Sequence, residues 1–239
     1  MPNILFPDNE FNELKKILTH YNCALKMLNT KIEILNEDYK TFHSNNPIEH
    51  YKSRLKSPES IAEKLVRKGL PLTAKAAVEN LNDIAGARII CSFSNDIYEI
   101  VDILKRNADM TVIKEADYIA KPKPSGYRSY HMIVSFPIYL TGETPIVKAE
   151  IQVRTEAMDF WASLEHKVRY KYKGMIPEHL GNELKNCAAK INDLDKRMYI
   201  IHDIINLLNS EDPENDDNAE TKSTNKIYIE NLSNSLCNY

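Results

Sequence analysis

The sequence predicts an α+β fold, in which a mixed β-sheet is flanked by helices in one compact domain. Two observations lead to this prediction. Over residues 8 to about 44, apolar side chains recur at helical spacing and no Pro or Gly interrupts them. From Asp83 to Thr155, short apolar runs bounded by turn residues are typical of strands, and helical patterns return beyond them.

The N-terminal part of the chain is predicted to be helical. Residues 8–44 are expected to form one long helix, or two helices broken near Asn29. A further helix is predicted over residues 58–68, because Ser57 suits the N-cap, a proline occupies the first helical position and Gly69 is a stop signal.

The middle of the chain is predicted to supply the sheet. Four segments are expected to be strands: GARIICSF, MTVIKEA, YRSYHMIVSFPIYL and PIVKAEIQVRT. The segment SNDIYEIVDILKRN between the first two is predicted to be a capped helix, and TGET is expected to turn the last two strands into a hairpin. Two helices are predicted after them, TEAMDFWASLEHKVRYKY and roughly residues 178–209.

Composition excludes several classes of protein. With 43% hydrophobic and 27% charged residues, the chain is typical of a globular protein. No apolar run approaches the ~18 residues of a membrane span, and the start MPNILFPDNE lacks the basic region of a secretory leader. We therefore expect no membrane association and a cytoplasmic location. The four cysteines are scattered singly and are expected to be free thiols.

Charge is distributed unevenly along the chain. Residues 209–239 carry seven acidic residues against two lysines, so the rest of the chain is mildly basic. The polar, acidic stretch NSEDPENDDNAETKST has the composition of a disordered linker. A mildly basic body suits phosphate-bearing ligands but is too weakly charged to indicate general nucleic-acid binding.

The last predicted strand has one wholly polar face. In VKAEIQVR, alternate side chains point to opposite faces, and the polar set is Lys148, Glu150, Gln152 and Arg154. This face is either solvated or covered by helices as part of a cleft. In a cleft, the carboxylate of Glu150 between a cation and an amide could hold a metal ion or a substrate hydroxyl.

Asp83 is the second candidate carboxylate. It stands at the mouth of a predicted strand, where ligand-binding groups of α/β sheets gather, and Arg88 follows inside that strand. Alone, Asp83 could simply cap the turn. Together with Glu150, it could bind Mg²⁺ and bring a triphosphate into register for in-line attack.

Side chains would have to neutralise the phosphates. The six glycines show neither the GxxxxGK[ST] nor the GxGxxG spacing of backbone phosphate cradles. The segment RLKSPESIAEKLVRK instead supplies a cluster of cations: Arg54, Lys56, Lys64, Arg67 and Lys68. The alternative is a plain solvated basic helix face.

The loop KPKPSGYRSYH combines restricted conformation, charge and an aromatic ring. Its prolines limit the backbone, Lys121 and Lys123 could meet phosphate, and Gly126 lets the backbone pass close to a ligand. Tyr127 could stack on a nucleotide base. It could equally be a lid over the core.

Four segments resemble the synthetase domain of the RelA/SpoT family, and most closely its stand-alone small alarmone synthetases: RLKSPESIAEKL, DIAGARIIC, DYIAKPKPSGYRSYH and EIQVRTEAMDFWASLEHKVRYKY. The resemblance implies a fold like the nucleotidyltransferase palm. It also implies transfer of the β,γ-pyrophosphate of ATP to the 3′-hydroxyl of GTP or GDP, giving pppGpp or ppGpp and AMP, the alarmones of the stringent response.

The resemblance also implies roles for individual residues. Asp83 would bind Mg²⁺, and Glu150 would be a second acid that either binds Mg²⁺ or acts as base on the 3′-hydroxyl. The residues implied in ATP binding are Arg54, Lys56, Lys64 and Arg88. The residues implied in GTP or GDP binding are Lys123, Tyr127, His131, Gln152, Arg154 and Ala162, with Tyr127 stacking on guanine.

The domain organisation expected from the resemblance has four parts. These are an N-terminal helical region for oligomerisation (1–46), the synthetase domain (47–175), a C-terminal helix (176–209) and an acidic, disordered tail (210–239). A homotetramer built through the terminal helices is implied. Because the chain has no room for the hydrolase domain of larger members, synthesis without hydrolysis is expected.

Two other functions use the same residue types. A catalytically inactive relative could bind guanine nucleotide or single-stranded RNA through Tyr127 and the lysines. Two acids in the cleft argue against a pure polyanion binder unless a metal ion intervenes. A nucleotidyltransferase would move AMP and release pyrophosphate, so its products would differ.

Overall fold

The computed structural model describes residues 6–43, 45–171 and 176–210, except for the side chains of residues 169–171 and 210. Over these ranges the chain forms six helices and five strands. In order they are α1 (Asp8–Phe42), β1 (Ile48–Leu55), α2 (Pro58–Arg67), α3 (Ala74–Asn80), β2 (Ala85–Cys91), α4 (Ser94–Lys105), β3 (Thr111–Asp117), β4 (Tyr130–Pro137), β5 (Ile146–Thr155), α5 (Glu156–Lys171) and α6 (Glu178–Ser210).

The five strands form one mixed sheet in the order β1-β2-β5-β4-β3. Strands β2 and β5 are parallel, and the other neighbouring pairs are antiparallel. This confirms the predicted α+β class. Strand β5 lies at the centre of the sheet, so its polar side chains point out from the middle of one sheet face.

The opposite face of β5 belongs to the hydrophobic core. Val147, Ala149, Ile151 and Val153 are at most 4% exposed and pack in a cluster with residues of α1, α2 and α4. Burying each of the larger side chains contributes roughly 2 kcal/mol. The predicted alternation of β5 is confirmed, and the core fixes which side of the sheet its polar side chains face.

Most predicted boundaries agree with the structure. Helix α1 runs through Asn29 without a break. The hydroxyl of Ser57 caps α2 by accepting a hydrogen bond from the Ser60 amide, and Gly69 follows the helix with φ +66°. The hairpin between β4 and β5 is closed by a hydrogen bond from the Leu140 amide to the Glu143 carbonyl.

Strand β1 and helix α3 were not predicted. Strand β1 is a polar edge strand, IEHYKSRL, in which only Ile48 is buried, so it lacks the apolar run of a buried strand. Helix α3 has seven residues, too few for a helical pattern to repeat.

Three other predictions concern termini, thiols and membranes. The acidic tail beyond residue 210 and Cys237 lie outside the described residues. Cys23, Cys91 and Cys187 are free, as expected. Among the described residues, no helix is long and apolar enough to span a bilayer.

Candidate active site

Two cavities meet at Asp83 and Glu150. One has a volume of about 650 Å³ and the other of about 200 Å³, and both are lined by these two side chains. The backbone explains the meeting, because Gly86 pairs with Glu150 in the β2–β5 ladder and Asp83 stands three residues before Gly86. The structure therefore brings together the two carboxylates that the sequence singled out.

Asp83 is held by two lysines. Its Oδ2 accepts hydrogen bonds from Lys56 Nζ and, at 2.6 Å, from Lys64 Nζ. Burial alone would raise the pKa of Asp83, but the two lysines outweigh burial and lower it. Burial also lowers the pKa of Lys56, against the opposing effect of Asp83. The second oxygen, Oδ1, is buried and has no hydrogen-bond partner among the described residues.

Glu150 is held by a histidine and an amide. His131 Nδ1 lies 3.3 Å from Oε1, and Gln152 Nε2 donates to Oε2 at 2.9 Å. Burial would raise the pKa of Glu150, and the charge of Asp83 acts in the same direction, but the contacts with His131 and Gln152 outweigh both and lower it. Glu150 is thus ionised at neutral pH and can accept a hydrogen bond or bind a cation.

The contacts of Glu150 are part of a closed ring of five side chains. His131 Nε2 lies 2.8 Å from the Tyr127 hydroxyl, which also accepts a hydrogen bond from Arg154 Nη2. Arg154 Nη2 further donates to Gln152 Oε1 at 2.8 Å, which closes the ring back to Glu150. Such a ring restrains the orientation of every member.

A third acid of the site, Asp159, faces this ring from the first turn of α5. Its Oδ1 accepts from Arg154 Nη1 at 3.0 Å and from Arg88 Nη1 at 2.9 Å. Burial, followed by the nearby charge of Arg154, lowers the pKa of Arg88, while Asp159 raises it. The side chain of Arg154 is only 4% exposed.

The proline-containing loop carries an aromatic pair and a cation. The ammonium of Lys123 lies 4.6 Å from the ring centroids of both Tyr118 and Tyr127. Gly126 has φ +90°, and a Cβ there would lie 2.5 Å from the Cβ of Ala188 in α6. A base that stacks on this face of Tyr127 would have to displace the ammonium of Lys123.

The remaining predicted residues are distributed around the two cavities. The predicted residues that line the larger cavity, besides the two acids, are Arg54, Arg88, Tyr127, Gln152, Arg154 and Ala162. Lys64 and His131 line the smaller cavity. Lys56 stands behind Asp83, and Lys123 lies over the tyrosine rings. The residues expected to bind ATP and those expected to bind the acceptor therefore do not divide cleanly between the two cavities.

Several lining residues were not singled out from the sequence. Lys52 lines the larger cavity, and Lys114 and Tyr118 line the smaller one. Lys52 lies on the strand that was not predicted. Asp159, which contacts Arg88 and Arg154 but is not among the lining residues of the two cavities, was not singled out either, although it is in the first turn of a helix that begins where the polar face of β5 ends.

The donor atoms at the junction of the cavities fit Mg²⁺. Carboxylate oxygens are its preferred protein ligands, and the buried Oδ1 of Asp83 accepts no hydrogen bond within the part of the chain that the structure describes. Within the described ranges, no group of three or more His, Cys, Asp or Glu side chains could hold a metal ion. A cation bound by Asp83 and Glu150 would thus take its other ligands from phosphate oxygens and water, as Mg²⁺ commonly does.

The chain belongs to the RelA/SpoT family. The family model described as the region found in RelA / SpoT proteins matches residues 53–175. The chain is 52% identical to "GTP pyrophosphokinase YwaC" of Bacillus subtilis, over 77% of this chain and 88% of that protein. It is 39% identical to "GTP pyrophosphokinase YjbM" of the same organism, over 77% of this chain and 86% of that protein.

Solved structures of small alarmone synthetases share the fold. Small alarmone synthetase 2 from Bacillus subtilis matches with a TM-score of 0.72 and 49% identity, over 79% of this chain and 97% of that chain. Small alarmone synthetase 1 from the same organism, bound to its product pppGpp, matches with a TM-score of 0.75 and 38% identity, over 80% and 97% respectively. The predicted resemblance and fold are therefore confirmed.

Proposed function

We propose that this protein is a GTP pyrophosphokinase, which transfers the β,γ-pyrophosphate of ATP to the 3′-hydroxyl of GTP or GDP. The observation that carries the proposal is the junction of two cavities at Asp83 and Glu150. A transfer between two nucleotides needs two binding regions that share one reacting centre. The names of the relatives at 52% and 39% identity support the same activity.

The two cavities suit the size and charge of the substrates. The larger, at about 650 Å³, lies within the range of pockets that bind small ligands, and Arg54 and Arg88 supply positive charge to it. The smaller, at about 200 Å³, is lined by Lys64, Lys68 and Lys114 and has room for phosphate groups. Side-chain cations would thus neutralise the phosphates in place of a glycine-rich backbone loop, whose motifs the sequence lacks.

The reaction exchanges one P–O bond for another. The 3′-oxygen of the acceptor attacks the β-phosphorus of ATP, the bond between that phosphorus and the bridging oxygen of the α-phosphate breaks, and AMP leaves with the bonding electrons. The proton of the 3′-hydroxyl passes to Glu150 or to water. When bound, Mg²⁺ supplies neutralisation of the phosphate charge.

The chain's own residues orient the two carboxylates of the site. Lys56 and Lys64 hold Asp83 so that its unpartnered Oδ1 remains available. His131 and Gln152 hold both oxygens of Glu150, so that an incoming hydroxyl meets an oriented carboxylate. Tyr127 can stack on a base next to this carboxylate once the ammonium of Lys123 has moved off its ring.

The test is a chromatographic product assay with ATP, Mg²⁺ and each of GTP, GDP and GMP. Wild-type protein should form a 3′-pyrophosphorylated product and AMP with GTP or GDP. Glu150→Gln should reduce the rate by orders of magnitude, because an essential acid is lost. The matched control is Glu143→Gln in the β4–β5 hairpin, where the side chain is 61% exposed and pairs with His20 away from both cavities.

Three outcomes would contradict the proposal. If no product forms with any acceptor, the protein is instead a catalytically inactive relative that binds guanine nucleotide or single-stranded RNA. Release of pyrophosphate with retention of AMP on the acceptor would indicate a nucleotidyltransferase. An equal loss of rate in Glu143→Gln would mean that Glu150 has no special role.

We also propose that the protein assembles as a homotetramer through its terminal helices and acts in the cytoplasm. Helix α6 presents apolar side chains that are 41% to 59% exposed at alternating spacings of four and three: Leu194, Met198, Ile201, Ile205 and Leu208. This is the spacing of a helix that packs against another helix. The proposed division assigns residues 1–46 and 176–209 to assembly, 47–175 to synthesis and 210–239 to a tail.

A further inference from the structure

An ion pair between Arg154, which lines the larger cavity and is only 4% exposed, and Asp159, which is 21% exposed, lies beside Tyr127 and Gln152. We propose that Arg154 is a positioning residue, paired with Asp159, which orients Tyr127 and Gln152 and does not itself contact the acceptor nucleotide. Through Asp159, the same pair also fixes Arg88. This inference rests on the proposed function and assigns Asp159, which the sequence did not single out, to the reaction machinery.

The hydrogen bonds of Arg154 are already used within the protein. A guanidinium carries five N–H groups. Its Nε donates to Ser129 Oγ at 3.2 Å, Nη1 donates to Asp159 Oδ1 at 3.0 Å, and Nη2 donates to both Gln152 Oε1 and the Tyr127 hydroxyl. With four acceptors satisfied and a side chain only 4% exposed, Arg154 has little left to offer a ligand.

The position of Arg154 determines which atoms face Glu150. Because Arg154 holds the carbonyl oxygen of Gln152, the amide nitrogen of Gln152 is the end that points to Glu150 Oε2. Because Arg154 also donates to the Tyr127 hydroxyl, that hydroxyl can donate its own proton to His131 Nε2. A change at Arg154 should therefore alter the orientation of Glu150 without touching it.

Asp159 links this arrangement to the other half of the site. One oxygen of Asp159 accepts from both Arg154 and Arg88. Two guanidiniums so close together repel, and a carboxylate between them neutralises part of that repulsion. Removing the acid would leave the buried Arg154 without its anionic partner and would free Arg88 as well. Asp159 thus couples a residue proposed for ATP binding to residues proposed for acceptor binding.

The experiment measures binding and turnover separately in Asp159→Ala, Asp159→Asn and Arg154→Lys. Calorimetry gives the dissociation constants for GDP and for a non-hydrolysable ATP analogue, and initial rates give kcat and KM. Asp159→Ala should weaken binding of both nucleotides by about tenfold, the loss expected for hydrogen bonds to charged groups. Asp159→Asn keeps one acceptor oxygen and should recover most of this loss.

Arg154→Lys distinguishes positioning through the guanidinium fork from simple neutralisation of phosphate charge. Lysine keeps the charge but has no planar fork, so it cannot hold Gln152 and Tyr127 together. It should lower kcat and weaken GDP binding by about tenfold, while ATP-analogue binding should stay within about twofold because the pair of Arg88 with Asp159 persists. An arginine that merely neutralised phosphate would tolerate lysine, and GDP affinity would stay near wild type.

Asp109→Ala is the matched control, because it breaks the 2.8 Å ion pair with Lys31 away from both cavities. Thermal unfolding of each variant identifies loss of folding, and Asp159→Asn remains informative if Asp159→Ala does not fold. The inference is overturned if Asp159→Ala changes stability alone or the affinity for one nucleotide alone, or if Arg154→Lys binds GDP like wild type. A wild type that binds both nucleotides without turnover would instead overturn the proposed function.

Discussion

Gly126 is predicted to tolerate no side chain. Its φ of +90° is a conformation that L-residues rarely adopt, and a Cβ would lie 2.5 Å from the Cβ of Ala188. The conformational cost is roughly 1–2 kcal/mol. Overpacking against a helix adds about 1–3 kcal/mol. Gly126→Ala should therefore lower the free energy of unfolding by about 2–5 kcal/mol.

Two other glycines separate these contributions. Gly69 has φ +66° but no described residue within 4 Å of its Cβ position, so Gly69→Ala should show the conformational cost alone, about 1–2 kcal/mol. Gly142 has no positive φ, and its Cβ position has no neighbour within 4 Å in the described ranges, so Gly142→Ala should change the unfolding free energy by less than about 0.5 kcal/mol.

The assay is denaturant unfolding at fixed protein concentration, with extrapolation of the free energy to water. Ala188→Gly alone should be destabilising by about 1 kcal/mol, as for glycine in any helix interior. In the Gly126→Ala background it should instead be stabilising, because it removes the overlapping atom. Because the loop also carries Tyr127, the KM for the acceptor should rise in Gly126→Ala and fall again in the double variant. Equal destabilisation of Gly126→Ala and Gly69→Ala, or no rescue by Ala188→Gly, would refute this reasoning.

Three further predictions concern pH, assembly and capping. Burial raises the pKa of Asp195, which accepts a 2.8 Å hydrogen bond from Thr155 Oγ1. The folded state therefore loses stability as pH rises from the ordinary aspartate pKa of about 3.9 through the raised pKa. Asparagine does not ionise, so the unfolding free energy of Asp195→Asn should exceed that of wild type by an amount that grows towards neutral pH. A difference that stays constant with pH would contradict it. Met198→Glu should reduce the molecular mass measured by sedimentation equilibrium, whereas Lys196→Glu, at an exposed polar position on α6, should not. Equal masses for the two variants would show that this face of α6 is not used in assembly. Ser57→Ala should lower the unfolding free energy by about 1 kcal/mol, because the Ser60 amide loses its cap, and an unchanged midpoint would show that the cap is dispensable.

The polar face of β5 could be predicted because a strand has a side-chain period of two. Once the apolar set including Ile151 is placed in the core, Glu150 and Gln152 must point the other way. Asp83 could be singled out for a related reason, since residues at the mouth of a strand lie beside the polar face of its neighbour.

The network around these carboxylates could not be predicted from the sequence. The contact between Arg88 and Asp159 joins residues 71 positions apart, and its geometry depends on how α5 packs over the sheet. Gly126 meets Ala188 only because α6 returns to the loop after α5. Strand β1 was missed because an edge strand needs no continuous apolar run.

Following labelled phosphate through the reaction tests most directly whether Asp83 and Glu150 join two nucleotide sites into one centre of pyrophosphate transfer. With GDP, Mg²⁺ and ATP labelled at the β-phosphate, wild-type protein should place the label on the acceptor and release unlabelled AMP. Asp83→Asn should lose this transfer. Label released as free pyrophosphate, or transfer that persists unchanged in Asp83→Asn, would contradict the account.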